Sequence, residues 1–296
     1  MQSNRYLIIN ADDFGLNSGV NRAVIETHAN GIVTSASIMV NCPASKEAAE
    51  MAKQNPNLGI GLHINLTQGK PISGKINSLT DPDGFFLSRA QLELKSLAGK
   101  IISEDIVEEL HLQWDMLQSL GLPISHIDSH QHIHVIPKVF KMIAAFAKEK
   151  DIALRIPLEK LFPRMNAWPA FFNPQNIFRL YRKIYLHIYA YKAKRYAKKL
   201  KVPCNKHFFS IFGYWPPVFK LKISFYEQLL RKIPEGISEI MCHPAHYEQN
   251  DQYTTSITHI SQQEVLILQD PALKKIIKEC NIQLINYNKL KELSNG

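Results

Sequence analysis

The sequence predicts an α/β protein whose parallel strands form a (β/α) barrel. Short apolar runs alternate along the chain with longer segments of helical periodicity, which is the pattern of a parallel sheet. Polar residues that can carry chemistry directly follow several of these runs, and (β/α) barrels carry their active sites at the carboxyl ends of the strands. The chain has 296 residues, enough for one such domain with a substantial core. We therefore expect a single domain over residues 1–296.

The predicted elements follow one another in alternating order. Apolar runs predict strands at 5–10, 35–40, 58–64, 124–128, 153–156, 237–241 and 282–285. Helical spacing of apolar residues predicts a helix that Asn17 and Ser18 can cap, and further helices at 44–53, 103–120, 137–148 and 261–280. Pro137 suits the first turn of its helix, where its missing amide would be unpaired. Residues 70–90 contain turn signals and predict a loop.

Basic and aromatic residues are concentrated in one segment, 160–226. It contains fourteen Lys and Arg, no Asp or Glu, and eighteen of the twenty-eight Phe, Trp and Tyr. Removing it leaves 21 basic and 26 acidic residues, a net charge of −5 within a chain of net charge +9. We predict a basic, aromatic-rich helical insertion over 160–235. It is either a lid packed on the barrel or a surface for peripheral contact with an anionic membrane.

The charge, the apolar runs and the cysteine spacing limit which binding partners and which cellular location we expect. A basic protein can bind nucleic acid, but no nucleic-acid-binding motif accompanies the charge, so we expect no such partner. No apolar run could span a membrane, and the first residues lack the apolar core of a signal peptide. The four cysteines form no C-x-x-C pair, which excludes zinc-finger and thioredoxin interpretations. We expect a cytoplasmic protein, peripheral at the inner membrane face if the basic segment docks; a homodimer is left open.

Acidic and imidazole side chains follow three of the predicted strands. Asp12 and Asp13 follow the first strand, His63 ends the third, and His130 lies in the segment 126–134, which contains four of the twelve histidines. An Asp pair alone can be a helix cap, and a lone histidine can be structural. Four histidines in nine residues are harder to satisfy without metal binding or catalysis. One carboxylate with two imidazoles suits an open, catalytic site for Zn²⁺ or a similar divalent ion.

Two residues after later strands extend this predicted site. His243 could protonate a leaving amine, and Arg155 could hold a neighbouring carboxylate in its ionised form. The plain alternatives are a loop cap for His243 and a surface ion pair for Arg155. We also expect His132 and His134 to share one face of an extended stretch, opposite Gln131 and Ile133, since alternate residues of a strand do so. The roles of His132 and His134 are not assigned.

Six spaced segments of the chain resemble the YdjC family of carbohydrate deacetylases. In family order they are LIINADDFGLNSGVNRAV (7–24), GIVTSASIMVN (31–41), GIGLHINLTQGKP (59–71), SHIDSHQHIHVIP (125–137), ALRIP (153–157) and EIMCHPA (239–245). The resemblance spans about residues 5–157 and 236–287 and leaves 160–235 largely uncovered. It implies a distorted (β/α) TIM-like barrel that removes acetyl groups from N-acetylated sugars with one divalent ion, magnesium or zinc.

The resemblance also implies roles for particular residues. It implies three metal ligands: Asp13, His63 and His130. It implies Asp12 as general base, His243 as general acid and Arg155 as the arginine that supports the base. The expected substrate is a GlcNAc-type oligosaccharide or a lipid-linked sugar. Two alternatives stay open: a metal-dependent phosphoesterase, because Asp/His metal sites also serve phosphate chemistry, and a non-catalytic barrel that binds sugar or membrane.

Overall fold

The computed structural model describes residues 4–159, 174–211, 221–247 and 258–295. The strands are β1 (Arg5–Phe14), β2 (Ser35–Ile38), β3 (Gly59–Ile64), β4 (Ile124–Ser129), β5 (Ala153–Leu154), β6 (His207–Ser210), β7 (Gly236–Cys242) and β8 (Ile282–Leu284). The helices are α1 (Ser18–Ala29), α2 (Ser45–Lys53), α3 (Arg89–Leu97), α4 (Ser103–Ser119), α5 (Pro137–Glu149), α6 (Pro174–Leu200), α7 (Ile223–Leu230), α8 (Thr258–Leu268), α9 (Pro271–Glu279) and α10 (Tyr287–Asn295). A 3₁₀ segment, His130–Val135, follows β4.

The strands form one parallel sheet in the order β5-β4-β3-β2-β1-β7-β6. The central strand β1 pairs with β7 along one edge; its other edge pairs first with β8 and then with β2. Parallel neighbours need long crossover connections, and helices supply most of them here. The predicted α/β class with a parallel sheet is therefore confirmed.

The two ends of the sheet approach each other and curl it into a distorted barrel. The amide of Leu154 in β5 donates a hydrogen bond of 2.9 Å to the carbonyl of Pro203, shortly before β6. Asn205 then accepts from the amide of Ile156 at 2.7 Å and donates to its carbonyl at 3.0 Å. The side chain of Arg155 crosses the interior to reach β1 and β7. These contacts agree with the predicted distorted (β/α) barrel.

An apolar plug fills the amino-terminal end of the barrel. Its buried members share contacts across β1, β5 and the chain end: Ile8, Ala153, Ile285, Tyr287 and Leu290. Two of them belong to α10, a helix that the sequence pattern did not predict. α10 packs on β3, β4 and β5 and so contributes to this plug.

Two other elements differ from the sequence prediction. The helix expected at 261–280 is two helices, α8 and α9, because Asp270 caps α9 by accepting a hydrogen bond of 2.8 Å from the amide of Ala272. Pro271 at the first position of α9 cannot continue a preceding helix, since it lacks an amide hydrogen. The loop predicted at 70–90 gives way to α3 at its end, where Ser88 and Gln91 form a capping box.

The predicted insertion 160–235 is partly barrel and partly helical addition. Within it, β6 pairs in parallel with β7, so these residues belong to the sheet. The addition that the structure describes is α6, a 27-residue helix packed against α5 and the 3₁₀ segment. Residues 160–173 and 212–220 of this range lie outside the described residues, and a lid role stays a prediction. Among the described helices, none combines the length and apolar character that crossing a membrane would need.

Candidate active site

The two adjacent carboxylates at the end of β1 point into different parts of the same site. In a regular strand, neighbouring side chains point to opposite faces. Asp13 has a φ of 65°, in the left-handed region, so the strand turns at this residue. Such strained backbone at a non-glycine residue clusters at functional sites. Asp12 therefore points into the barrel interior while Asp13 reaches the histidines at the mouth.

Asp13, His63 and His130 converge from β1, β3 and the 3₁₀ segment. The Nδ1 atom of His130 donates a hydrogen bond of 2.8 Å to Asp13 Oδ1, and Nε2 of His63 lies 3.2 Å from the same oxygen. One ligand atom from each residue lies within 4.8 Å of the others. Ligand atoms on a tetrahedral zinc ion lie about 3.4 Å apart, so the group needs little movement to share an ion. The three residues predicted as ligands are thus brought together.

The orientation of His63 is fixed by β2 and β4. Its Nδ1–H donates to Asp128 Oδ1 at 2.7 Å, and Ser37 donates from Oγ to Asp128 Oδ2 at 2.9 Å. Burial alone would lower the pKa of His63, but the charge of Asp128 and hydrogen bonds to Asp128 and Asp13 raise it to about 10. A carboxylate behind a metal-ligating histidine fixes its tautomer and aims the other nitrogen outward. Asp128 was not predicted as a site residue, although it lies in the histidine-rich segment.

The histidine-rich loop does not have the extended form that the sequence analysis predicted. Residues 130–135 form a 3₁₀ segment in which Gln131 and His132 have φ values of 54° and 56°. The predicted extended stretch is therefore wrong, although the rings of His132 and His134 still lie edge-on to each other with centroids 6.0 Å apart. Ser129 holds His134 through its Nδ1 atom at 2.5 Å, while the ring of His132 packs edge-on against Phe208. Of the three histidines in this segment, only His130 is part of the Asp13 group.

Arg155 is fully buried and links the carboxylate of Asp12 in β1 to that of Asp128 in β4. Its Nη1 and Nη2 atoms donate to the two oxygens of Asp12, each at 2.6 Å, and Nη1 lies 2.7 Å from Asp128 Oδ2. Burial opposes the charge of the guanidinium, but Asp12, Asp128 and Glu239 hold its pKa well above the ordinary value. The bidentate contact fixes the plane of the Asp12 carboxylate. The structure thus places Arg155 where a supporting arginine was predicted.

Glu239 and Tyr287 continue this network toward the plugged end of the barrel. The Nε atom of Arg155 donates to Glu239 Oε1 at 2.7 Å, and the Tyr287 hydroxyl donates to Glu239 Oε2 at 2.5 Å. Burial raises the pKa of Glu239 to about 7 despite the nearby Arg155. Neither residue was predicted for the site. Glu239 lies in the motif EIMCHPA, so its buried position on a strand was the available signal; Tyr287 offered none.

His243 lies at the same level of the barrel as Asp12. Ala11 in β1 pairs with Cys242 in β7, so the next residue of each strand emerges at the same edge. The His243 amide donates to Glu264 Oε2 at 2.7 Å, and the Tyr226 hydroxyl donates to Glu264 Oε1. This buried carboxylate from α8 anchors the backbone that carries His243, a support that the sequence analysis missed.

The charges of the site favour an added cation. Asp12 and Asp128 pair with one guanidinium, that of Arg155, whereas Asp13 is bonded to His63 and His130, and burial makes an uncompensated negative charge costly. Burial would raise the pKa of Asp13, yet the charge of His130 and hydrogen bonds to both histidines lower it well below its usual range. The carboxylate is therefore ionised and accepts hydrogen bonds from its imidazole partners. A metal ion at such a site would be bound through unprotonated imidazole nitrogens.

A second group in the described residues, Asp12, His63 and Asp128, also has three ligand atoms within 4.8 Å. Its two carboxylates already bind the guanidinium of Arg155. A cation there would lie beside a fixed positive charge, which disfavours it by Coulomb repulsion. The Asp13 group carries no such competing cation, so it is the better candidate for a metal ion.

Comparison with known proteins assigns this barrel to a family. The family model described as YdjC-like protein matches residues 6–279. The chain belongs to the YdjC-like family. A relative named carbohydrate deacetylase, from Geobacillus stearothermophilus, is 32% identical and the match covers 98% of this chain and 99% of the relative. A chitooligosaccharide deacetylase of Yersinia enterocolitica is 31% identical, with 96% and 98% covered.

A solved structure shows the same fold as this YdjC-like chain. It is a putative cellobiose-phosphate cleavage protein from Enterococcus faecalis, 27% identical, with a TM-score of 0.77. The alignment covers 97% of this chain and 99% of that one. The predicted membership of the YdjC family is thus confirmed, and the match includes every segment on which that prediction rested.

Proposed function

We propose that this YdjC-like protein is a metal-dependent hydrolase that removes the acetyl group from an N-acetylated sugar. The observation that carries the proposal is the convergence of Asp13, His63 and His130 beside Asp12 at the carboxyl ends of the strands. Relatives that match nearly the whole chain are named carbohydrate and chitooligosaccharide deacetylases. The substrate class is a GlcNAc-type oligosaccharide or a lipid-linked sugar.

Asp13, His63 and His130 would hold the divalent ion. Bound there, it would supply a Lewis acid that polarises the acetamide carbonyl and lowers the pKa of an attacking water. Two imidazoles with one carboxylate favour zinc or a similar transition metal over magnesium, which prefers oxygen ligands. Magnesium is the alternative that metal analysis would distinguish.

Asp12 is the proposed general base. Arg155 holds both of its oxygens, and Asn10 donates a further hydrogen bond of 2.9 Å to Oδ1, so the carboxylate has one fixed orientation. It takes the proton of the attacking water as that water adds to the carbonyl carbon. Fixed geometry of this kind lowers the entropic part of the barrier.

His243 is the proposed general acid. It emerges beside Asp12 on the neighbouring strand, and the Glu264 contact to its amide fixes its backbone. From there its imidazole donates a proton to the sugar nitrogen as the carbon–nitrogen bond breaks, so the products are acetate and a free amino sugar. The base and acid thus act from adjacent strands on the two ends of one amide.

An acetate-release assay tests this function. The purified protein, supplied with zinc or magnesium, is incubated with N-acetylglucosamine oligomers and with phosphate monoesters, and both products are measured. We expect acetate release that the variant His130→Ala and removal of metal abolish. Phosphate release without acetate release would instead support the phosphoesterase alternative. Sugar binding without either product would support the non-catalytic barrel.

A further inference from the structure

The long helix α6 has two unlike faces. Its inward face consists of small, buried side chains, those of Ala190, Ala193 and Ala197, and α6 packs against α5 and the 3₁₀ segment. The Nδ1–H of His187 also donates to the carbonyl of Glu159, just beyond β5, at 2.8 Å. The helix is therefore fixed to the rim of the barrel, and the face opposite these contacts carries exposed side chains.

The outward face carries an apolar stripe. Tyr181 is 63% exposed, Ile184 38%, Ile188 46% and Tyr191 52%. Spacings of three, four and three residues place these side chains on one side of the helix, over about 15 Å of its length. Single exposed apolar residues are ordinary, but a contiguous row of large ones marks an interaction surface.

Basic residues continue the same face toward the end of the helix. Arg195 and Lys198 follow Tyr191 at spacings of four and three residues, and both are exposed, as are Lys192 and Lys199. No acidic residue lies in 160–226, and among the described residues no carboxylate forms an ion pair with these four side chains. The surface of α6 thus combines aromatic and aliphatic side chains with a cluster of positive charge.

We propose that the outward face of α6 binds the surface of an anionic lipid bilayer. The tyrosines and isoleucines of the stripe enter the headgroup region, and the basic residues beyond Tyr191 contact lipid phosphates, a combination typical of interfacial helices. Charge complementarity favours this occupant over a second copy of the chain, because a copy would present the same basic segment to itself. Contact of this kind is peripheral.

The position of α6 gives the docking a consequence for the site. The helix packs on the 3₁₀ segment that carries His130 and is bonded to the chain that follows Arg155. A docked α6 therefore holds the rim of the barrel close to the bilayer, where a lipid-linked N-acetylated sugar would be presented. This step rests on the proposed function; the binding of α6 to lipid does not.

Vesicle flotation of the full-length protein tests the docking. The vesicles are phosphatidylcholine alone, or phosphatidylcholine mixed with phosphatidylglycerol, at low salt. The stripe variant combines Ile184→Gln with Ile188→Gln, and the charge variant combines Lys198→Gln with Lys199→Gln. Matched controls are Leu266→Gln, which changes an apolar residue of α8 that is 74% exposed, and Lys275→Gln with Lys278→Gln on α9.

We expect the wild type and both controls to float with anionic vesicles. Each lysine removed in the charge variant should weaken binding about fivefold at low salt, and the stripe variant should fail even there. Acetate release from soluble N-acetylglucosamine oligomers serves as the check on folding and should be the same in both variants as in the wild type. If the wild type itself released no acetate, that result would count against the proposed function and not against lipid binding. A wild type that ignores anionic vesicles would overturn the docking proposal. The proposal would also be overturned if both variants bound the anionic vesicles as well as the wild type does. A wild-type dimer in light scattering that becomes a monomer in the stripe variant would overturn it as well.

Discussion

At the scale of single residues, the neighbours Asp12 and Asp13 owe their different tasks to their contacts. Asp12 is held by Arg155 and Asn10 inside the barrel, whereas the described partners of the Asp13 side chain are the two histidines of the proposed metal site. The left-handed backbone at Asp13 makes this division possible. One carboxylate can therefore exchange a proton while the other holds an ion.

This division predicts different losses for the two carboxylates. Asp12→Asn keeps the shape of the side chain and leaves Arg155 paired with Asp128 and Glu239, so the fold and metal binding should survive. Its turnover number should fall by at least about 100-fold, since it lacks a general base. Asp13→Ala should lose the metal as well as activity. Metal content by mass spectrometry and acetate release distinguish the two, and full turnover by Asp12→Asn would refute the base assignment.

The buried carboxyl of Glu239 predicts a pH dependence of stability. Its ordinary pKa of 4.5 rises to about 7 in the folded protein because burial disfavours the charged form. Between these values the folded state binds the proton more tightly than the unfolded chain does, so this group makes stability fall as the pH rises. Glu239→Gln removes the titration and should flatten that fall.

Urea unfolding at about pH 5 and about pH 8 measures the effect. The matched variant Glu104→Gln removes an exposed carboxylate of α4 and should retain the wild-type slope. If Glu239→Gln and the wild type lose the same free energy of unfolding between the two pH values, the buried group does not titrate in this window.

The residues of the candidate site that could be predicted from the sequence are those with a local signal. Asp12, Asp13, His63 and His130 stand at strand ends in segments of unusual composition. Glu264 and Tyr287 could not be found in that way, because their contacts join residues far apart in sequence. Local patterns carry no information on such contacts.

At the scale of elements, the close approach of β3 and β4 depends on Gly61. It pairs with His126, whose ring stacks on Tyr287 with centroids 3.8 Å apart. A Cβ at Gly61 would lie 2.3–2.6 Å from three atoms of that ring. Neither the ring nor the tyrosine behind it has room to move, since both are buried.

Gly61→Ala should therefore destabilise the protein by about 1–3 kcal/mol, the usual cost of overpacking. The same change should cost much less when His126→Ala has removed the ring, because the new methyl group then occupies free space. Urea unfolding of the two single variants and the double variant measures the coupling. Additive losses would show that the ring is not what excludes a side chain at this position.

Hydrophobic periodicity predicted whether a segment is a helix or a strand better than it predicted where that segment begins and ends. The helix expected at 261–280 contained the signal for its own interruption, the cap Asp270 before Pro271. The bend of the histidine-rich loop had no such signal, because left-handed backbone at Gln131 and His132 is imposed by their surroundings. The alternation of histidines with other residues predicted an extended loop there, whereas the packed chain forms a 3₁₀ segment.

At the scale of the whole molecule, α10 packs at the end of the barrel opposite the candidate site. Leu290 is fully buried in the plug with Tyr287, whereas Leu293 packs only against its edge. The order of the sheet followed from the alternation of strands and helices, but this packing joins the last helix to the first strand. A pattern read along the chain could not show it.

Leu290→Ala should lower the free energy of unfolding by about 2–5 kcal/mol, since it leaves a cavity in the plug. The control Leu293→Ala, on the same helix, should cost clearly less because that side chain is only partly buried. Equal losses in urea unfolding would mean that α10 does not pack in the plug as described.

We propose that one divalent ion binds between the ends of three strands, beside the amide to be cleaved. Anomalous diffraction from crystals grown with zinc locates such an ion, because the anomalous peak gives its position. We expect a single strong peak whose zinc ion is bonded to Asp13, His63 and His130. A peak between Asp12 and Asp128, or a protein that binds zinc elsewhere while these three side chains keep only each other as partners, would contradict it.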